Sequence, residues 1–188
     1  MKNVMVDLET TGLLAGSCIV SIGAVYFDED TGKTGPTFYQ VVNLESCQKA
    51  GLTSNDETMQ WWAKQSDEAR AALDKAMSET SMPLDVALAA FNVYLGMFED
   101  TDVKVWGNGA NFDNAILEFA FDAVNFQPGW RFYNNRCLRT LRDFAPHIGV
   151  NRVGTHHNAL DDAMSQAMQA LEIFKVVRVR SCNPVSNT

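Results

Sequence analysis

The residues most suggestive of chemistry are two acids, Asp7 and Glu9, near the start of the chain. They interrupt an apolar segment, Val4 to Leu8, with the composition of a buried central strand. Side chains alternate in direction along a strand, so acids two residues apart share one face. Two carboxylates buried side by side repel each other and lose hydration, and a divalent cation such as Mg²⁺ or Mn²⁺ offsets both costs. An edge strand that exposes both acids to water is the alternative.

A third acid, Asp113, follows a predicted short strand at 103–106 and a glycine-containing turn at 107–112. It falls in the first turn of the next predicted helix. Open α/β sheets place ligand-binding groups at the carboxyl ends of strands, which is where this acid would stand. The alternative is an acid that is stabilised there by the helix dipole.

A fourth acid comes from the last predicted helix, which begins near Ala159 and extends to 176–179. Asn158 is its predicted N-cap, and Asp161 occupies the reciprocal capping position. Helical periodicity places Asp162 about 20° from one edge of the apolar arc and Asp161 about 60° from the other, which favours Asp162 as the inward acid. His157 precedes Asp162 by five residues and could accept a proton near neutral pH, although a loop histidine is usually solvated.

Two adjacent tryptophans, Trp61 and Trp62, lie on a helix that is predicted to start with the capping-box sequence Ser54-Asn55-Asp56-Glu57. Adjacent residues of a helix do not share a face. Tryptophans on a helix usually pack in the core. Here at least one of the two is expected at a groove, where an aromatic ring can stack on a base.

The remaining pattern predicts an α/β chain. Strands at 4–9, 18–27 and 37–42 give an antiparallel meander, and a long amphipathic helix that starts at Pro83 connects it to the strand at 103–106. A helix between two strands favours a crossover and parallel pairing. Residues 125–136 are expected to form an aromatic loop. We expect one domain over residues 1–180 and a flexible tail at 181–188.

Composition limits the function classes. The formal net charge is −8, which argues against a broad basic surface for nucleic acid and against binding to anionic membranes. It leaves a nucleic-acid enzyme open, because bound cations neutralise an acidic site locally. The four cysteines contain no CxxC pair and are expected to be reduced, which indicates a cytoplasmic protein. No secretory signal and no apolar stretch long enough to cross a bilayer is evident.

Together these motifs resemble the DEDD superfamily of 3′→5′ exonucleases, in its histidine-bearing DEDDh (DnaQ-like) branch. The segment Asp7-Leu8-Glu9-Thr10-Thr11-Gly12 is similar to its first motif and Asn111-Phe112-Asp113 to the end of its second. The segment 157–163 resembles the third motif of the family, whose H-x4-D spacing selects His157 and Asp162. One departure is Gly109, which stands where many members have asparagine, with Asn108 one residue earlier.

The resemblance implies a ribonuclease H-like fold: a mixed five-stranded sheet, antiparallel meander followed by parallel strands, flanked by helices. It implies two Mg²⁺ or Mn²⁺ ions on Asp7, Glu9, Asp113 and Asp162. Asp7 would bridge both ions, and Glu9 and Asp162 would complete the one that holds the attacking water. Asp113 would support the second ion, and His157 would act as general base, with its loop ordering when substrate binds.

The resemblance also implies substrate and partners. Single-stranded DNA or RNA 3′ ends would be shortened to 5′-mononucleotides, and a homodimer is left open. The stretch 58–70 contains a WWxxQSxEAR pattern similar to a phage exodeoxyribonuclease and to mycobacterial exoribonucleases, which favours DNA with RNA as the alternative. The expected substrate-binding residues flank the first two motifs and include one tryptophan: Thr10, Thr11, Gly12, Leu13, Trp62, Asn108 and Asn111.

Two other function classes are alternatives to an exonuclease. A catalytically silent nucleic-acid-binding module would be marked by loss of a metal-binding acid, and all four acids are present. A metal-dependent phosphatase for small molecules would use the same acids, and substrates of increasing chain length would separate it from an exonuclease.

Overall fold

A five-stranded sheet forms the centre of the protein in the computed structural model, which describes residues 2–98 and 102–182. Its strands lie in the order β3-β2-β1-β4-β5. The first three form an antiparallel meander, and β4 and β5 run parallel to β1. The predicted mixed five-stranded, ribonuclease H-like sheet is confirmed. The strands are β1 (Asn3–Thr10), β2 (Ile19–Asp28), β3 (Lys33–Val41), β4 (Lys104–Gly107) and β5 (Asn135–Cys137).

Seven α-helices of the described residues cover both faces of this sheet. They are α1 (Leu44–Lys49), α2 (Asp56–Trp62), α3 (Asp67–Ala76), α4 (Leu84–Leu95), α5 (Asp113–Ala123), α6 (Leu138–Arg142) and α7 (Ala159–Cys182). Two single 3₁₀ turns occupy Gly96–Phe98 and Phe132–Asn134. None of the helices in the described part of the chain is long and apolar enough to cross a membrane.

The alternation of side chains along β1 divides the core into two layers. Val4, Val6 and Leu8 point to the larger layer, which α3, α4 and α5 cover. Met5 points to the opposite layer and packs beneath α7. Asp7 and Glu9 follow Met5 at intervals of two, so both acids face the α7 side of the sheet, as their spacing predicts.

The close approach of α7 to the sheet depends on Gly23 in β2, which pairs directly with Asp7 of β1. A Cβ atom at Gly23 would lie 2.1 Å from the backbone carbon of Ala159, the first residue of α7. No side chain fits in that space. The start of α7 therefore rests on the backbone of β2, next to the strand position of Asp7.

The helices and strands of the structure differ from those predicted from the sequence where the segments are short or polar. The six-residue α1 and three-residue β5 have too few residues to show a period, and β5 overlaps the end of the segment expected to be a loop, 125–136. The cap of α2 is Asn55 instead of Ser54, because the Asn55 side chain accepts from the N–H of Thr58 while Ser54 accepts from the Thr11 hydroxyl.

The last helix also differs in detail. Asn158 accepts from the N–H groups of Leu160 and Asp161, as expected of a cap, but the Asp161 carboxylate accepts from Thr155 instead of from Asn158. The helix extends to Cys182, beyond the expected start of the flexible tail at 181. The rest of that expected tail, 183–188, lies outside the described residues.

Candidate active site

The first two acids lie at the carboxyl end of β1, the central strand. Glu9 is buried and Asp7 is partly buried. The register of β1 against β2 shifts between Glu9 and Thr10. Such bulges turn a strand and redirect its side chains, and they are common beside functional sites. The chain leaves the sheet directly after these acids, which opens space in front of them.

Asp113 reaches the same edge of the sheet from the start of α5, as the sequence predicts. Its carboxylate accepts from the backbone N–H of Leu8 at 3.3 Å and from that of Gly109 at 3.4 Å. A Cβ at Gly107 would lie 2.8 Å from Asp113 Oδ2, so the glycine that ends β4 allows this carboxylate to approach β1. Asp113 is therefore fixed between the two parallel strands.

Asp162 comes from the first turn of α7 and completes the cluster. One oxygen accepts from the backbone N–H of His157 at 2.9 Å, and the other pairs with the Arg152 guanidinium at 2.8 Å. Its side chain is only 14% exposed. Its neighbour Asp161 is turned toward the 152–157 loop through Thr155. The structure thus selects the same one of the two adjacent acids as helical periodicity does.

Three of the four acids form a compact group. Single carboxylate oxygens of Asp7, Glu9 and Asp162 all lie within 4.8 Å of one another, whereas Asp113 stands outside that group. Burial, followed by the charges of Asp113 and Glu9, raises the pKa of Asp7 well above its usual value. Burial, followed by Asp162 and Asp113, raises the pKa of Glu9 to about 8. Burial also raises the pKa of Asp113 to about 6. Such mutual repulsion is what a divalent cation would relieve.

His157 lies beside this group at the end of the 152–157 loop. Its backbone has a φ of +63°, in the left-handed region, where histidine occurs more often than most non-glycine residues. Its ring packs edge-on against Trp61, with 4.9 Å between the ring centroids, and lies 3.8 Å from the His156 ring. Burial, followed by the charge of His156, lowers the pKa of His157. The lowered pKa favours the neutral ring at neutral pH, and only that form can accept a proton.

The loop that carries His157 is more firmly held than its polar, glycine-containing sequence suggests. The backbone N–H groups of Val153, Thr155 and His157 donate to Ser165, Asp161 and Asp162 respectively. All three acceptors belong to the first two turns of α7. The loop and the helix therefore present His157 and Asp162 together.

A groove of about 910 Å³ opens in front of the acids. The exposed Leu13 and Trp61 both line it. Trp61 is 39% exposed, whereas Trp62 is 1% exposed and its indole N–H donates to the carbonyl of Thr10 at 2.9 Å. Trp62 also lines the groove, but its burial speaks against the expectation that its ring stacks on a base: Trp62 supports the end of β1, and Trp61 has the accessible ring.

The other expected substrate-binding residues divide into two sets. Thr10, Gly12, Leu13 and Asn108 line the groove. Thr11 is fully buried and its hydroxyl donates to Ser54, so its side chain is not accessible to a substrate. Asn111 is exposed but lies outside the groove lining. A substrate role for the first set stays a prediction, and the positions of Thr11 and Asn111 speak against one.

Two residues of the site were not predicted from the sequence. Gln166 donates from its side chain to Asp7 at 2.7 Å, and Arg152 pairs with Asp162. Gln166 lies four residues after Asp162, so helical spacing alone could have placed it on the same face. Arg152 lies in an irregular loop whose path the sequence does not indicate.

The comparisons with known proteins agree with this geometry. The family model of the Rv2179c-like 3′-5′ exoribonuclease domain matches residues 2–174. An exodeoxyribonuclease of Enterobacteria phage T4 is 26% identical over 164 residues, covering 74% of this chain and 70% of the phage protein.

Solved structures show the same fold at low sequence identity. The nuclease domain of 3′hExo, described as a DEDDh family member bound to rAMP, superposes with a TM-score of 0.64 at 15% identity, covering 93% of this chain and 92% of that one. Exonuclease X in complex with 5′ overhanging duplex DNA superposes with a TM-score of 0.60 at 17% identity and the same coverage. Because the family model spans nearly its whole length, the chain belongs to the family of the Rv2179c-like 3′-5′ exoribonuclease domain.

Proposed function

We propose that the protein hydrolyses the last phosphodiester bond at the 3′ end of a single nucleic-acid strand and releases a 5′-mononucleotide. The observation that carries this proposal is the group of Asp7, Glu9 and Asp162, whose oxygens lie within 4.8 Å of one another at the wall of an open groove. The adjacent His157 supplies a base that burial keeps neutral.

The residues of the site fit a divalent cation. The donor set is made of carboxylates, which Mg²⁺ and Mn²⁺ prefer. Two further oxygens, Gln166 Oε1 and Asn108 Oδ1, are buried without a hydrogen-bond partner among the described residues. Asp7, Glu9 and Asp162 would hold one ion, and Asp7 with Asp113 a second. Bound there, the ions would stabilise the negative charge that develops on the phosphate during hydrolysis.

His157 would remove the proton from the attacking water. The water oxygen forms a bond to the terminal phosphorus while the bond from phosphorus to the 3′ oxygen of the preceding nucleotide breaks. The proton moves to a ring nitrogen of His157 and later to solvent, and the departing 3′ oxygen takes a proton from water. The edge-on packing against Trp61 fixes the ring plane of His157 for this transfer.

The groove fits a terminal nucleoside. Leu13 is 72% exposed at its wall, where it can wedge against a base, and Trp61 offers an accessible ring for stacking. The groove also has polar lining residues, among them Ser54, Asn55 and Thr58. A nucleobase has apolar faces and polar edges. Leu13 and Trp61 can contact its faces, and the polar lining residues can hydrogen-bond to its edges.

Both DNA and RNA are candidate substrates. The phage relative is an exodeoxyribonuclease, and the WWxxQSxEAR pattern favours single-stranded DNA. The family model describes an exoribonuclease domain, which supports RNA as the second candidate. A protein distinguishes DNA from RNA through contacts to the 2′-hydroxyl, which only RNA carries.

The test uses single-stranded DNA and RNA of equal length and sequence, labelled at the 5′ end, with Mg²⁺, Mn²⁺ or EDTA. A 5′ label should yield a ladder that shortens from the 3′ end only when metal is present, and 5′-mononucleotides should accumulate. Asp7→Asn should abolish the ladder, while Asp122→Asn, at an exposed acid on α5, should leave it unchanged. Absence of cleavage of both substrates by the folded, metal-loaded protein would contradict the proposal and favour the binding-module alternative.

A further inference from the structure

A second cleft, of about 350 Å³, adjoins the acidic groove. The two spaces share Asn108, Arg152, Asp162 and Gln166 as lining residues. The far side of the second cleft is formed by Arg142 at the end of α6, by the 146–150 loop and by Gln169 of α7. A nucleic-acid strand that enters the acidic groove can therefore continue past Asp162 into this cleft.

The cleft has two guanidinium groups among its lining residues, Arg142 and Arg152. Arg152 also lines the acidic groove, so Arg142 is the arginine that distinguishes the cleft. Burial, followed by the nearby charge of Arg139, lowers the pKa of Arg142, and the charge of Arg152 acts in the same direction. Arg142 donates from Nε to Gln169 at 2.8 Å, a neutral partner that leaves its charge uncompensated. Within residues 2–98 and 102–182, neither Arg139 nor Arg142 forms an ion pair.

Arg139 approaches the same region from the first turn of α6. A Cβ at Gly109 would lie 3.2 Å from the Nη1 atom of Arg139 and 3.1 Å from Oδ1 of Asn111. Gly109 is the position where the chain departs from the asparagine of many similar exonucleases. The guanidinium of Arg139 therefore lies in the space into which a side chain at 109 would extend, so a positive charge stands where many similar exonucleases have a neutral amide.

The charge balance of the molecule makes this cluster unusual. The chain carries a net charge of −8, yet three arginines gather beside its acidic site and only Arg152 has a carboxylate partner among the described residues. Like charges gathered in a partly buried cleft are unfavourable unless an anion joins them. The guanidinium group is suited to phosphate because its planar set of donors matches two phosphate oxygens.

We propose that the cleft lined by Arg142 and Arg152, with Arg139 beside it, binds the phosphate on the 5′ side of the scissile bond, one nucleotide upstream. This inference rests on the proposed exonuclease function and adds a subsite to it. The subsite holds the strand that stays behind, while the acidic groove holds the nucleotide that leaves. It favours substrates with at least two phosphates over those with only the scissile one.

A pair of dinucleotides tests the subsite directly. TpT carries only the scissile phosphate, whereas pTpT adds the one phosphate that the arginine cleft would receive; UpU and pUpU serve if RNA is the better substrate. The wild-type protein should show a KM for pTpT about tenfold below that for TpT, the effect expected of one charge-assisted contact. Arg142→Gln should bring the two KM values to within about threefold, with kcat unchanged.

Three variants serve as controls. Arg139→Gln, at an exposed position, should reduce the pTpT advantage even if Arg142→Gln impairs folding. Arg142→Lys keeps the charge and should retain most of the advantage. Arg70→Gln removes a cation of α3 that pairs with Asp67, and it should change nothing. On longer strands, each lost contact should also lower the slope of log KM against log salt by about 0.7, a change that a purely structural defect does not produce.

The outcomes separate the two proposals. Cleavage of both dinucleotides with equal KM by the wild-type protein would overturn the subsite and leave the exonuclease function intact. An advantage of pTpT that survives in both Arg142→Gln and Arg139→Gln would also overturn it. Absence of cleavage of dinucleotides and longer strands alike would overturn the proposed function, and the subsite with it.

Discussion

The two halves of the candidate active site are built from different kinds of structure. Asp7 and Glu9 belong to the carboxyl end of β1, and Asp113 begins α5 beside the parallel pair β1 and β4, where backbone N–H groups of Leu8 and Gly109 hold its carboxylate. His157 and Asp162 belong to a loop and the first turn of α7, joined by hydrogen bonds between loop amides and helix side chains. The sheet gives the carboxylates little freedom to move. The loop adds a proton acceptor, His157, that hydrogen bonds to side chains of α7 hold in place. We expect the acids of the sheet half, together with Asp162, to determine metal binding, and His157 of the loop half to determine the rate of proton transfer.

The largest expected effect comes from the sheet half. Asp7→Asn preserves the acceptor that Gln166 contacts but removes the central charge of the group. The rate should fall by about a thousandfold or more, because several kcal/mol of electrostatic stabilisation are lost at 1.36 kcal/mol per tenfold. The variant should also unfold at a higher temperature in EDTA, since it removes a buried repulsion. A variant with unchanged kcat, or with a lower melting temperature in EDTA, would contradict this account of Asp7.

The matching change in the loop half is His157→Gln. It should lower kcat by about a hundredfold or more through loss of the base, while calorimetric Mn²⁺ affinity stays within about twofold. In the wild-type protein kcat should fall only below pH 6.5, because burial lowers the pKa of His157 from that value. The pH profile of the variant should lack this limb. Equal losses of Mn²⁺ affinity in His157→Gln and Asp7→Asn would remove the distinction between the halves.

The two tryptophans sharpen the comparison at the point where the halves meet. Trp62→Ala should destabilise the fold by about 3–5 kcal/mol, because a fully buried ring and its bond to Thr10 are lost. Trp61→Ala should change stability far less, yet raise the KM for oligonucleotides and lower kcat through its contact with His157. Urea unfolding and steady-state kinetics on both variants measure this. A higher KM for a still-folded Trp62→Ala, with Trp61→Ala unaffected, would restore Trp62 as the stacking residue.

A further expected effect is the dependence of stability on pH. The pKa of Glu9 is raised from 4.5 to about 8, so the folded protein keeps a proton that the unfolded chain has lost. The free energy of unfolding should therefore decrease as pH rises from about 4.5 to 8. Divalent cations bind the ionised carboxylates and should remove most of this decrease. Melting temperatures in EDTA and in Mn²⁺ across this range test it, and Glu9→Gln should flatten the EDTA curve. A melting temperature that rises with pH in EDTA would be inconsistent with the buried acids.

The sequence predicts the sheet half more completely than the loop half, for physical reasons. The period of a strand places Asp7 and Glu9 on one face, and the period of a helix distinguishes Asp162 from Asp161. Both rules depend on regular backbone geometry. Arg152 and the bonds that hold its loop follow no period, so the sequence gives no sign of them. The sequence also does not predict which of Trp61 and Trp62 faces inward. The reason is related: α2 has seven residues, too few for a helical period to distinguish two adjacent rings.

The contact between Gly23 and Ala159 has a consequence for how the protein tolerates genetic variation. Gly23 carries no chemistry, yet any side chain there would collide with the start of α7 and push Asp162 away from Asp7. In a selection for nuclease function across all single substitutions, position 23 should therefore be as intolerant as the acids themselves. An inactive variant at this position would owe its defect to backbone spacing, and alanine, the mildest change available to a mutagenesis screen, would already be enough.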